Sequence, residues 1–280
     1  MKADCHMHMI LDGFHWKSAI ERHAETPDIP WIREVLKTYQ VLGYTYLRDG
    51  GDRWGAGAAA RELASEYGIR YVTPLAPICA KGHYGGFIGE SFENLKEYAR
   101  LVSEHRQNGA DFIKIMISGL MDFDQAGVLT EEGLSPSLIQ EMIHIAHEEG
   151  FSVMAHCNGA RTMEAAAIAG VDSIEHGAYS DEAALAAMVQ HQVVWVPTLS
   201  TVGNLRGKGR FREEAVVEIF QRAVAAISRF GEMGGIIASG TDAGAWAVPH
   251  GCETEEKLLA LCGISQEKLQ AGAKAIYDKF

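Results

Sequence analysis

The sequence predicts an α/β fold, a (β/α)₈ TIM barrel, and three observations carry the prediction. Short apolar runs alternate with longer amphipathic stretches from end to end, giving about eight strand–helix units, the number a closed parallel barrel needs. Several amphipathic stretches stop at a glycine just before the next apolar run (Gly43, Gly68, Gly109, Gly150, Gly170), as expected where a helix ends in a left-handed cap. No Gly-rich phosphate turn follows the first strand, which argues against the open doubly wound sheet.

In order, residues 2–8 form the first strand, 31–42 have helical spacing, and 44–48 are the second strand. The Ala-rich stretch 54–67 is helical, 69–78 is the third strand, 91–107 a helix and 112–117 the fourth strand. The next helix, 135–149, opens Ser135-Pro136, an N-cap followed by proline at the first helical position, where a missing N–H costs nothing. Strands at 151–155, 171–174, 193–196 and 235–239 then alternate with helices at 160–169, 181–190 and 212–230, and helices at 254–261 and 266–279 close the chain. No composition break marks a boundary, so one barrel domain over residues 1–280 is expected.

The 37 acidic and 25 basic residues, net charge −12, are spread along the chain, which excludes the basic patches a nucleic-acid partner requires. No apolar run approaches the ~20 residues of a membrane span. Asp4 and two histidines interrupt any signal-peptide core, so the expected location is cytoplasmic. The five cysteines (Cys5, Cys79, Cys157, Cys252, Cys262) form no CxxC pair and read as reduced thiols. The sequence leaves a homo-oligomer open.

Active sites of such barrels sit where strands end. His6 and His8 end the first strand and, two residues apart, share one side of it. Lys114 lies inside the apolar fourth strand, His156 ends the fifth, His176 the sixth and Asp242 the eighth. Each has a bland reading: a packing histidine, a salt-bridged lysine, an Asx turn. A buried ammonium must be paired, lowered in pKa or chemically altered, and a neutral lysine can add CO₂ to become an anionic carbamate ligand. Taken together, imidazoles and a carboxylate without a cysteine set suit Zn²⁺, and also Mn²⁺ or Fe²⁺. Cys5 and Cys157 adjoin these residues but alternate away from the mouth, and Glu175, just before His176, reads as a residue that packs or orients its neighbours rather than a metal ligand.

The set and its order resemble the amidohydrolase superfamily: HxH after the first strand, Lys after the fourth, His after the fifth and sixth, Asp after the eighth. The phrases Arg48-Asp49-Gly50-Gly51, Ile174-Glu175-His176-Gly177, Val196-Pro197-Thr198-Leu199 and Gly240-Thr241-Asp242-Ala243-Gly244 are similar to its imidazolonepropionase and metal-dependent prolidase-like branch. The resemblance implies a carboxylated Lys114 bridging two divalent ions, with His6, His8 and Asp242 on the more buried one and His156 and His176 on the other. It implies hydrolysis of an amide-type C–N bond in a small molecule (a cyclic amide, an N-acyl compound or a dipeptide), with Asp242 as general acid/base. His83 resembles a substrate-binding histidine of the branch. Tyr84, His250 and Trp246 lie in loops expected on the same face, Trp246 as a contact or as packing.

Two features depart from the branch. The small β-sandwich common among relatives is not expected here. Where dipeptide-cleaving relatives carry Tyr after the fifth-strand His, this chain reads His156-Cys157-Asn158-Gly159, placing Asn158 there as the candidate contact. A mononuclear deaminase and a metal-dependent decarboxylase or lyase stay open as alternatives, with Lys114 weighing against both. A non-catalytic small-ligand binder is a third.

Overall fold

The computed structural model describes residues 1–280. In chain order the elements are β1 (Ala3–Met7), α1 (Trp16–Arg22), α2 (Ile29–Val41), β2 (Tyr46–Asp49), α3 (Ala56–Ala64), β3 (Arg70–Val72), β4 (Ile78–Ala80) and β5 (Glu90–Phe92). There follow α4 (Leu95–Gln107), β6 (Ile113–Met116), α5 (Pro136–Glu148), β7 (Val153–Cys157), α6 (Ala160–Ile168), β8 (Ser173–His176) and α7 (Glu182–Gln190). The last are β9 (Val194–Val196), α8 (Ser200–Gly203), α9 (Glu213–Glu232), β10 (Ile236–Ile237), α10 (Thr254–Leu261) and α11 (Gln266–Lys279).

Every strand pair is parallel, in the orders β1-β2-β3 and β10-β9-β8-β7-β6-β4-β5. Main-chain hydrogen bonds join the two ladders on both sides. Cys5 N–H donates to Ser239 O (2.9 Å) and Asp242 N–H to His6 O (2.7 Å), while Asp111 N–H donates to Thr73 O (3.0 Å). The staves of the barrel are therefore β1, β2, β3, β6, β7, β8, β9 and β10, the strands expected from the apolar runs. The five glycines expected to end helices all lie in the left-handed region, with φ from 69° at Gly68 to 87° at Gly170. Ser135 caps α5 as its Ser-Pro pair predicts, its hydroxyl accepting from Leu138 N–H at 3.3 Å.

Three expectations are corrected. The third strand does not run unbroken from 69 to 78: it stops at Val72 and resumes as β4. Pro74 and Pro77 lack the N–H a ladder needs, and Leu75 turns to φ 66°. Ser91 is not in the following helix but in β5, and Asn94 starts α4 by accepting from Lys96 and Glu97 N–H. Residues 54–67 are not one helix: Asp52 receives the Ala56 and Gly57 N–H groups, α3 begins at Ala56, and its last turn tightens to 3₁₀ at Ser65–Tyr67.

Apolar burial holds the helices on the barrel. The largest cluster packs α4–α7 and α9 against the outer faces of β6–β9, and Cys157 lies in it, turned from the mouth as alternation requires. A second joins α2 and α3 to β1 and β2. A third fills the barrel interior below the site. Cys5, Tyr46, Phe112, Met154 and Val194 meet there, and Ile276 and Phe280 of the α11 end close it from beneath. Phe280 stands edge-on to Phe112, ring centroids 5.2 Å apart. No helix is long and apolar enough to cross a membrane.

Candidate metal centre

The first part of the site arises where β1 meets the segment after β10. Asp242 N–H donates to His6 O and His8 N–H to Ala243 O (both 2.7 Å), which locks the two segments in register. Asp242 has φ 57°, a conformation unusual for a non-glycine residue that aims its carboxylate at β1. Asp4 holds that turn, accepting from Thr241 N–H (2.8 Å) and Thr241 Oγ1 (2.6 Å). The ladder with β2 is irregular between Asp4 and Met7, so Cys5 joins the interior cluster while His6 and His8 both reach the mouth. Gly50 at the end of β2 lies against the His8 ring, where any Cβ would collide with the imidazole.

Three ligand atoms crowd together there. His8 Nε2 is 3.2 Å and His6 Nε2 3.4 Å from Asp242 Oδ1, and the two Nε2 atoms are 3.3 Å apart. His6 Nδ1–H donates to Glu175 Oε2 at 2.7 Å, which leaves its Nε2 as a bare lone pair. Burial and the neighbouring Lys114 charge hold the His6 pKa well below the usual imidazole range. Burial pushes the Asp242 carboxyl up, but His6, His8 and Lys114 outweigh it and leave the group below its ordinary value, as a carboxylate. The His6 lone pair, a His8 ring nitrogen and the Asp242 carboxylate, all within 4.8 Å of one another, form a donor set that suits a divalent cation. The residues fit a metal.

The second part comes from β6, β7 and β8. His156 and His176 stand side by side, ring centroids 4.5 Å apart, and His176 lies 5.1 Å from His6. Thr198 donates its hydroxyl to Pro197 O (2.8 Å) and therefore accepts from His176 Nδ1–H (2.7 Å), freeing His176 Nε2. His176 (φ 68°) and Thr198 (φ 49°) share the left-handed strain seen at Asp242. Burial, with the Lys114 charge, lowers His156 to about 3, and burial with the neighbouring imidazoles holds His176 well below the usual imidazole range, so both rings are neutral. Lys114 Nζ is buried without a hydrogen-bond partner, and desolvation lowers it to about 8. Such an orphaned nitrogen, among neutral imidazoles and beside Asp242, suits modification or a ligand better than a structural role.

Beneath these residues lies a network that the sequence reading did not resolve. Arg48 donates from Nε to Cys5 O (2.7 Å), from Nη1 to Ser173 Oγ (2.9 Å) and from Nη2 to Glu175 Oε1 (2.8 Å). Ser173 also donates to Glu175 Oε1 (2.6 Å). Glu175 thus orients a histidine, His6 across the barrel. Arg48 and Glu175 stood in recognisable phrases, but only the closed barrel brings β2, β8 and β1 together.

His6, His8, Lys114, His156, His176 and Asp242 all line one cavity of about 750 Å³. Tyr84 lines it too, its ring 4.8 Å from that of His156. Trp246 lines it as well. Asn158 reaches it, yet its amide is occupied: Nδ2 donates to Gly119 O (3.0 Å) and Oδ1 accepts from Ala178 N–H (2.9 Å). His83 and His250 are not in the lining. His83 is half exposed, facing Glu131 at 3.3 Å, because the loop places Tyr84 inward instead. His250 is turned behind the β1 loop, with Nε2 2.8 Å from Leu11 O and Nδ1 3.4 Å from Tyr39 Oη. Sequence reasoning missed Phe14, Trp16, Lys17, Arg210 and Phe211 of the lining. The aromatic-basic pairs Trp16-Lys17 and Arg210-Phe211 were the available signal.

The model of the amidohydrolase family matches residues 36–274. An Aspergillus niger ochratoxinase is 26% identical over 230 residues, covering 71% of this chain and 47% of that protein. An uncharacterized Mycobacterium tuberculosis protein is 28% identical over 204 residues, covering 71% of this chain and 54% of its own length. The chain spans about half the length of these curated relatives. Among solved structures, a Xaa-Pro dipeptidase with bound methionine in its active site superposes with a TM-score of 0.80 at 22% identity, over 99% of this chain and 75% of that one. The A. niger ochratoxinase structure gives 0.74 at 21%, over 98% and 68%.

Proposed function

The chain belongs to the amidohydrolase family, and from that premise we propose that it is a metal-dependent hydrolase cleaving an amide-type carbon–nitrogen bond of a small molecule: a cyclic amide, an N-acyl compound or a dipeptide. The observation that carries the proposal is the convergence of four histidines, an ionised carboxylate and an unpartnered lysine on one cavity at the mouth of the barrel. Likeness to a Xaa-Pro dipeptidase, which cleaves a peptide C–N bond, supports the bond type.

His6, His8 and Asp242 would hold one divalent ion, and His156 and His176 a second, Zn²⁺ suiting this donor set best and Mn²⁺ or Fe²⁺ being accommodated. Lys114 would join the two as a carbamate: its neutral amine adds to the carbon of CO₂, an N–C bond forms, one proton leaves, and an anionic oxygen pair results. Bound metal supplies polarisation of the scissile carbonyl and a water of lowered pKa.

The remaining work falls to the protein. Glu175 and Thr198 hold His6 and His176 by their Nδ1–H groups, so that both Nε2 lone pairs face inward. Asp242, ionised and aimed into the cavity, takes the proton of the attacking water and returns it to the leaving nitrogen. The apolar walls exclude bulk water from that transfer.

Elemental analysis of purified protein, paired with an amide, lactone and dipeptide panel, tests the proposal. Two metals per chain and amide turnover, both impaired in Lys114→Ala, are expected. One metal, indifferent to bicarbonate, with ammonia released from a heterocycle would favour a deaminase instead.

A further inference from the structure

The cavity walls carry a pattern that hydrolysis by itself does not use. From His156 outward, the Tyr84 ring (4.8 Å), the Phe87 ring (5.7 Å from Tyr84) and the Trp16 ring (5.6 Å from Phe87) form an unbroken aromatic ladder. Lys17 Nζ ends it, 5.4 Å from the Trp16 ring. A second wall repeats the arrangement: the Arg210 guanidinium lies 4.1 Å from the Trp246 ring centroid. Neither cation has a carboxylate within ion-pair distance, on a chain that carries 12 excess negative charges. Asp242 is the one acidic residue of the lining.

We propose that this mouth selects amides bearing an aromatic ring with an anionic group at the end remote from the scissile bond. The ring would lie along Tyr84, Phe87 and Trp16, and the anion would be held by Arg210 and Lys17. The inference rests on the amide-hydrolase reading above and names its substrate class.

A guanidinium stacked on an indole loses little further freedom on binding, and its in-plane N–H edge stays free for a carboxylate. An acidic protein repels an anionic substrate unless cations line its entrance, and here the entrance carries cations alone. Aromatic walls reward a flat ring over an aliphatic chain of equal area, because stacking adds to burial.

The test uses a pair of probes with no hydrolysable amide that differ in charge at one end, 4-(methanesulfonamido)benzoate and the neutral 4-(methanesulfonamido)acetophenone. Calorimetric titration into metal-loaded protein should show the carboxylate binding about tenfold tighter at low salt. That preference should shrink in Lys17→Met and in Arg210→Met and vanish in the double variant, with metal content and affinity for the neutral probe unchanged. A wild-type preference below about twofold, or one that survives in the double variant, overturns the proposal. The panel of amides separates the two readings. Charge preference without turnover of any amide sustains the mouth assignment and sinks the reaction; turnover of neutral amides without charge preference does the reverse.

Discussion

The barrel interior buries two cations, one facing its plugged end and one its open mouth, and they are treated in opposite ways. Arg48 is wholly buried, yet each of its three nitrogens donates, to a carbonyl, a hydroxyl and the Glu175 carboxylate, and its plane rests 4.5 Å from the Phe280 ring. Lys114 is equally buried and has nothing. A buried charge is tolerable when protein groups replace its water, and otherwise it shifts its pKa or changes chemically. On the proposed reading, the satisfied cation serves the scaffold and the orphaned one the chemistry.

The comparison breaks most visibly at the mouth. Asp242→Asn should lower turnover by about 10²–10⁴-fold, as for loss of a general acid/base, measured as kcat with metal content recorded alongside. Full turnover with normal metal would remove Asp242 from its assigned role.

Stability separates the two cations next. Arg48→Met strands the Glu175 carboxylate and should destabilise the fold by about 3–5 kcal/mol in urea unfolding. Lys114→Met, read in metal-free protein, should leave the unfolding midpoint unchanged or raise it. Equal losses in the two variants would erase the distinction.

A smaller effect belongs to the packing that aims His8. Gly50→Ala puts a methyl group into the imidazole and should cost about 1–3 kcal/mol, with weakened metal retention on dialysis.

Glu255 extends the comparison to a buried anion outside the barrel. It accepts from Leu199 N–H (2.9 Å) and Ser200 N–H (2.6 Å), bonds that favour the ionised form. Burial nevertheless outweighs them and lifts the carboxyl from 4.5 to about 7. The folded state then binds more protons than the unfolded chain between those values. The contribution to stability is full below about 4.5 and is lost as pH rises through about 7, roughly 3 kcal/mol in all. Glu255→Gln should flatten that window in a pH series of unfolding midpoints.

Legibility in the sequence follows the same division. The staves could be read, because apolar runs and glycine stops are local signals, and so could the six polar residues that the barrel gathers on one cavity. The partners that hold those residues could not. Glu175 meets His6 and Arg48 only because β8, β1 and β2 face one interior, a relation set by closure and not by spacing. The misplacement of His83 and His250 has the same origin: a Gly-rich loop names its residues but not which of them turns inward, and here it is Tyr84. The broken third strand was legible in principle, since Pro74 and Pro77 forbid an unbroken ladder.

The central claim, that Lys114 carries a carbamate joining two divalent ions, is most directly tested by stripping metal and reconstituting the protein with Zn²⁺, with and without bicarbonate, and counting metal per chain. The account predicts two ions per chain with bicarbonate, a deficit without it, and the same deficit in Lys114→Ala under both conditions. Two tightly held ions in Lys114→Ala, or a count indifferent to bicarbonate in the wild type, would contradict it.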